Sequence, residues 1–259
     1  MITPGLVSIT FRQLGPEAVV DLVVRAGLEA IEWGGDVHVP HGDRAAADRV
    51  GRLTRDAGLK VACYGSYFRL GVSEEADDGP TLRDVLETAV QLGAPWIRVW
   101  AGRQGSADAT PADRARVADD ARRCADLAAE AGLGLVLEYH GGTLTDTADS
   151  AVRLLSDIDH PRLKSLWQPT KGLDAEANLT ALRKVLPWLV NLHLFSWGPG
   201  GYTDRLPLVA LEADWRTYLD LARSDGQPHA ALLEFVRDDA PDQFLADAAS
   251  LRAWLPGRD

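Results

Sequence analysis

Sulfur is almost missing from this chain: two cysteines and one methionine in 259 residues. Cys63 and Cys124 stand far apart and form no CxxC pair, so a disulfide framework and a thiolate metal site are both excluded, and inert core thiols are expected. Basic charge is also short. The 27 Lys and Arg face 38 Asp and Glu, a net charge of −11. With no basic run to follow a phosphate backbone, nucleic acid is not an expected partner. No apolar run reaches membrane-span length, and the opening MITPGLVSITFR lacks the basic region and continuous apolar segment of a signal peptide. A cytoplasmic protein with no membrane partner is expected. Linkers and low-complexity segments are missing too, so residues 1–259 read as one domain.

What is present is alternation. Short β-rich runs are expected at Leu6–Phe11, Ala30–Trp33, Lys60–Phe68, Trp96–Trp100, a run opening at Leu133, Leu163–Trp167, Leu189–Phe195 and Ala230–Val236. Helical patterns follow each: from Pro16 to Gly27, Arg44–Ala57, TLRDVLETAVQL, Asp113–Ala131, Thr145–Ile158 with Thr145 or Asp146 as N-cap, Ala175–Val185, Asp214–Ser224 and Asp242–Leu255. Eight strand-helix units with apolar strands predict an α/β fold, a single (β/α)8 TIM barrel. An open doubly wound sheet is the alternative, disfavoured because LGPEAV rather than a glycine-rich phosphate loop follows the first strand.

In such a barrel the active site lies where the strands end at their C-terminal side. The stretch LGLVLEYHGGTLTD, residues 133–146, turns there from apolar to polar. Alternation along an extended strand puts Glu138 and His140 on one face, beside the Gly141-Gly142 turn. The other strand ends carry Glu32, Trp33 and then His38; Arg98 and Trp100; Trp167, Gln168 and Lys171; His193 and Trp197; and Glu234 and Arg237. A charged or imidazole group inside an apolar strand is costly unless paired or metal-bound, and Glu138, His193 and Glu234 all sit so. Two glutamates and a histidine suit one divalent ion, Mn²⁺, Mg²⁺ or Co²⁺, with Zn²⁺ an option. A hydrogen-bonded polar plug at the barrel mouth fits the same positions.

The motifs GLEAIEWGGD, LVLEYHGGTLTDT, LWQPTKG with Asn178-Leu179, NLHLFSW, Arg205 and ALLEFV, in that order, resemble the xylose isomerase-like TIM-barrel superfamily of sugar isomerases and epimerases. The resemblance covers nearly the whole chain. It implies a metal held by Glu138, the Gln168 position, His193 and Glu234, with Glu138 and Glu234 also moving protons. It places substrate contacts at Lys171 and Arg205; His140 and His38, at or beyond strand ends, are further substrate-binding candidates. Gln168 stands where the family has Asp, and Lys171 where it has His. Trp33, Trp100, Trp167 and Trp197 are candidate stacking faces for a sugar.

The function these features predict is a metal-dependent isomerase or epimerase of a small keto sugar or sugar acid, working through an enediolate. The alternative is a metal-dependent lyase, a dehydratase or decarboxylase of a 3-keto sugar acid. Endonuclease IV-like DNA repair fits the charge poorly, and a metal-free sugar-binding protein would bind without turnover. The expected partner is a small-molecule carbohydrate, and homo-oligomerisation is compatible with the sequence.

Overall fold

The computed structural model describes residues 1–72 and 79–255. Eight parallel strands close into a barrel: β1 (Ile2–Val7), β2 (Ala30–Gly34), β3 (Lys60–Arg69), β4 (Trp96–Trp100), β5 (Gly134–Leu137), β6 (Leu163–Trp167), β7 (Leu189–Leu194) and β10 (His229–Leu233). They pair in the order β1-β10-β7-β6-β5-β4-β3-β2. Between β7 and β10 a two-stranded antiparallel hairpin, β8 (Ser196–Trp197) with β9 (Arg205–Leu206), stands above the barrel. The helices are α1 (Pro16–Arg25), α2 (Arg44–Asp56), α3 (Leu82–Leu92), α4 (Pro111–Glu130), α5 (Ala148–Ile158), α6 (Ala175–Val185), α7 (Glu212–Arg223) and α8 (Pro241–Trp254). Strict β-α alternation therefore yields the single barrel that the sequence predicts. Among the described residues, no helix is long and apolar enough to cross a membrane.

Of the boundaries that differ from the sequence reading, three have identifiable reasons. The first strand is Ile2–Val7, while Ser8–Phe11 coils into a buried 3-10 turn. Pro4 and Gly5 look like strand breakers, yet Gly5 is what lets β1 approach its neighbours: a Cβ there would collide with the Ala30 carbonyl oxygen and the Leu232 side chain. The fifth strand ends at Leu137, although the Glu138 N–H still donates to the Val99 carbonyl at 3.0 Å. The cap of α5 is Thr147, whose side chain accepts from Ser150 N–H. Thr145 and Asp146 are used instead to fold the preceding loop, Thr145 donating to the Glu138 carbonyl and Asp146 accepting from Ser106 N–H at 2.8 Å.

Strand alternation sorts the side chains into two sets. Ile31, Trp33, Leu137, Trp167, Leu192 and Leu233 join the main core between barrel and helices. Val7, Ala30 and Leu232 form a smaller cluster with Ile9 inside the barrel. Above that inner cluster, the same inward parity carries Glu32, Arg98, Glu138, Gln168, His193 and Glu234 to the mouth.

Candidate active site

These six polar side chains sit at inward positions that run from the middle of a strand for Glu32 and Arg98 to just past its C-terminal end for Glu138, Gln168 and Glu234, so the barrel itself fixes their convergence. Five of them form a chain of alternating charge across the mouth. Arg98 donates from Nη1 to Glu138 Oε2 and from Nε to Glu32 Oε1 at 2.7 Å. Glu32 Oε2 meets His193 Nε2 at 3.1 Å, and His193 Nδ1 faces Glu234 Oε2 at 3.4 Å. That last contact is ionic and not aligned as a hydrogen bond, so His193 Nδ1 and Glu234 Oε2 both lack a hydrogen-bond partner. All five residues are at most 4% exposed.

Burial alone would raise the carboxyl of Glu32, but His193 first and Arg98 next outweigh it and hold it at about 2. Glu138 is held below its ordinary value in the same way, with Arg98 the foremost opposing cause, then His140 and His193. His193 moves the other way: against burial, Glu234 and Glu32 raise its imidazolium to about 10. The mouth thus favours two carboxylates kept ionised by cations, as buried charges require.

Arg98 and Glu32 are the residues that sequence reasoning left unassigned. Their signal was present, since WIRVW and AIEWG each carry one charged residue inside an apolar strand, the same anomaly that singled out Glu138, His193 and Glu234. Gly65 explains how the guanidinium fits: a Cβ there would crowd Arg98 Nη2 and Glu32 Oε1.

The rim divides the remaining predicted residues into two groups. Trp100 belongs to the mouth, donating from Nε1 to Glu138 Oε2, stacked on His140 at 4.6 Å and covered by the Arg69 guanidinium at 3.8 Å. His140 donates from Nδ1 to the Gly141 carbonyl at 2.6 Å, the only role a carbonyl partner permits. Trp197 stacks on Phe195 at 4.0 Å and lies 5.6 Å from Phe235, next in sequence to Glu234. Arg205 reaches Asp239 Oδ1 at 2.5 Å with its guanidinium 5.1 Å from the Phe235 ring. Lys171 is exposed and donates to the Gly200 carbonyl at 3.3 Å.

Trp33, Trp167 and His38 are the corrections, Trp167 lying wholly buried in the main core. Trp33 is wholly buried against the helix layer, its Nε1 donating to Thr54 of α2 at 3.1 Å. His38 packs edge-on against that ring at 5.6 Å, with Nε2 on the Leu14 carbonyl at 3.1 Å, and burial holds its pKa below the ordinary value. Alternation explains the tryptophans: Glu32 and Gln168 take the inward positions, so Trp33 and Trp167 must face outward. Trp33→Phe should therefore lower stability, by about 1–2 kcal/mol for the lost volume and hydrogen bond, and leave KM unchanged. A raised KM at unchanged stability would return Trp33 to the mouth.

Whether the mouth suits a metal turns on its unpartnered atoms. Gln168 Oε1, His193 Nδ1 and Glu234 Oε2 are all buried and without hydrogen bonds, while Gln168 is oriented by its Nε2 donating to the Tyr139 carbonyl at 2.9 Å. Buried polar atoms of this kind call for an explanation, and an amide oxygen, a carboxylate oxygen and the imidazole nitrogen, once its proton is given up, together fit one divalent ion. Among the described residues no group of three His, Cys, Asp or Glu is arranged to hold a metal. The two observations are compatible, because the third donor is a glutamine and Glu138 is drawn toward Arg98 and Trp100.

Comparison with known proteins agrees with this architecture. A 3-dehydroshikimate dehydratase of Bacillus anthracis is 29% identical over 206 residues, 73% of this chain and 70% of that protein. The crystal structure of the probable 3-dehydroshikimate dehydratase of petrobactin synthesis from the same organism superposes with a TM-score of 0.78 at 22% identity, over 97% of this chain and 98% of that one. Apo 3-keto-D-glucoside 4-epimerase from E. coli gives 0.73 at 19%, over 98% and 99%. The family model described as xylose isomerase-like TIM barrel matches residues 20–254, and the chain belongs to that family.

Proposed function

We propose that this protein is a cytoplasmic, metal-assisted dehydratase acting on a small cyclic hydroxy-ketone that bears a carboxylate. The observation that carries this reading is the state of Glu138. An epimerase that works by proton transfer needs a base on one face of the substrate and an acid on the other. Glu138 has given Oε2 to both Arg98 and Trp100 and is held below its ordinary pKa, which makes it a fixed anion and a poor base. Proton chemistry is then one-sided, as elimination of water from a single face allows.

Gln168, His193 and Glu234 would hold the ion, with Glu138 beside them. When bound, a divalent ion supplies polarisation of the substrate carbonyl. The remaining work belongs to the side chains. His140 Nε2 takes the proton α to the carbonyl. The electron pair left behind forms a carbon–carbon double bond as the β-hydroxyl departs, and the His140 imidazolium returns the proton so that the hydroxyl leaves as water. Arg98, whose Nη2 is buried and lacks an acceptor, supplies positive charge toward the substrate's anionic oxygen, and Trp100 and His140 form one wall. The name of the 29% identical relative supports a carboxylate-bearing 3-keto substrate of this kind.

The experiment is turnover in D₂O of metal-loaded protein on 3-dehydroshikimate and on a panel of ketoses. Growth of a conjugated, ultraviolet-absorbing product is expected. A deuterated epimer formed without loss of water would replace this reading with the isomerase one.

The metal assignment has its own test. Gln168→Asp adds a full negative charge to the donor set and should tighten Mn²⁺ binding, measured by calorimetry without substrate, while slowing turnover of an anionic substrate. Unaltered affinity would place Gln168 outside the coordination sphere.

A further inference from the structure

The β8–β9 hairpin has its foot at Leu208, which opens the buried end of a 3-10 turn, Leu208–Leu211. Both backbone groups of that residue are engaged. Its carbonyl accepts from Ser196 Oγ of β8 at 2.9 Å, and its N–H donates to Asp247 Oδ1 of α8 at 2.9 Å. Asp247 therefore anchors the hairpin that carries Trp197 and Arg205. The other side-chain ties lie nearer solvent: Arg205 to Asp239 at 2.5 Å, and Lys171 to the Gly200 carbonyl at 3.3 Å. Exposed contacts of that kind contribute little.

Asp247 is an unusual anchor. It is 4% exposed, yet among the described residues it makes no ion pair, whereas Glu32 and Glu138 share Arg98. Its Oδ1 takes both available donors, Leu208 N–H and Gln243 Nε2, the latter at 2.8 Å, and both are neutral. Arg237 is the one cation that acts on it, and that guanidinium is turned to Gln243 Oε1 at 2.7 Å. Charged groups on the surrounding elements are engaged elsewhere: Glu17 with Arg49, Asp21 with Arg25, Glu212 with Arg216, Asp239 with Arg205, and Arg252 with the Ala26 carbonyl. Asp242 is exposed. Burial therefore prevails over Leu208, Gln243 and Arg237 and raises the Asp247 carboxyl above its ordinary value. An asparagine could accept the same two hydrogen bonds with no charge to desolvate. Charge is what aspartate adds here.

We propose that Asp247 couples the hairpin to pH: one proton on its carboxyl favours closure, and loss of that proton favours opening, in which Leu208 lifts and water reaches the carboxylate. The proton comes from solvent and falls on Oδ2, because Oδ1 already holds two donors. Its contribution to closure is fully present below 3.8, the ordinary aspartate value, and is lost as pH rises through the raised value of the closed form. Opening also exposes Leu208, 2% exposed when closed, which keeps it a minor excursion.

The test reads the hairpin without substrate. Hydrogen exchange of peptides spanning 196–211 is followed by mass spectrometry from pH 4 to 8, corrected for the intrinsic rate, in wild type and Asp247→Asn, with α4 as control. Wild-type protection should fall as pH rises from 4, by at most about tenfold per pH unit, the limit for one proton, and then level off. Asp247→Asn should keep the acid-side protection throughout. Asp204 and Asp239 are also carboxylates on or against the hairpin, so the difference between the two proteins assigns the effect. Wild-type protection independent of pH overturns the proposal whether or not the variant folds. A variant that keeps the wild-type slope overturns it too, as does one less protected than wild type at pH 8, where the charge would be a clamp.

The consequence for turnover rests on the mouth being the active site. There the ratio of wild-type to Asp247→Asn KM for 3-dehydroshikimate should rise with pH over the same interval. Proton-linked exchange with an unmoved ratio supports the coupling and strikes the substrate roles of Trp197 and Arg205. Proton-linked exchange without any turnover supports the coupling and strikes only the dehydratase reading.

Discussion

Arg98→Met is expected to lower the unfolding free energy by about 3–5 kcal/mol, the range found when one member of a buried ion pair is removed. The reason is the arithmetic of the charges it serves. Arg98 is 1% exposed and is the cation that Glu138 and Glu32 share. Without it, Glu138 retains only the Trp100 N–H and Glu32 only His193. Two buried carboxylates must then be left poorly compensated or take up protons. Urea denaturation of metal-free protein should show the loss, and Glu32→Gln in the Arg98→Met background should recover part of it by removing one stranded charge. The pH dependence follows in sign. Glu32 is depressed from 4.5 to about 2 in the folded protein, so its stabilising contribution is present above pH 4.5 and disappears as pH falls through 2. In Arg98→Met the loss should begin at higher pH. A variant as stable as wild type, with an unmoved acid limb, would show that the charge chain contributes nothing to the fold.

The barrel was legible because its signals are local and repeated. WIRVW, LKSLW and AEANLTALRKV lie in the structure where periodicity puts them, as β4, β6 and α6. The first strand was misplaced because Pro4 and Gly5 argue against a strand by propensity, and only the approach of β1 to Ala30 and Leu232 shows why glycine is needed there. The site was half legible. Position at a strand end identifies a mouth residue only when the inward parity is known, and a single residue decides it: Glu32 points in, so Trp33 points out to Thr54. The role of Arg98 was hidden for another reason. Its partners, Glu32 and Glu138, lie 66 and 40 residues away along the chain, and no spacing rule links three strands that only barrel closure brings together.

His140→Gln should reduce kcat by roughly 10²–10⁴-fold, the usual worth of a positioned general base, while leaving Mn²⁺ affinity and stability near wild type. The imidazole earns this role by geometry. Its Nδ1–H is committed to the Gly141 carbonyl at 2.6 Å and its ring is stacked on Trp100 at 4.6 Å, so its orientation is fixed and Nε2 is the nitrogen that would take the proton in the proposed reaction. A glutamine there keeps polarity and much of the stacking area but cannot accept the proton. Glu138→Gln should behave differently. It leaves Arg98 with one carboxylate instead of two, so stability falls along with activity, and the loss has the signature of a positioning residue. The contrast is measurable in three columns of data: kcat, Mn²⁺ affinity by calorimetry, and unfolding free energy. Solvent deuterium adds a fourth, because His140→Gln should also stop exchange of the α proton, which a defect confined to departure of the hydroxyl would spare. If exchange continues in His140→Gln and stops in Glu138→Gln, the base is Glu138, the carboxylate is freed from Arg98 during turnover, and two-sided isomerase chemistry becomes the better account of this site.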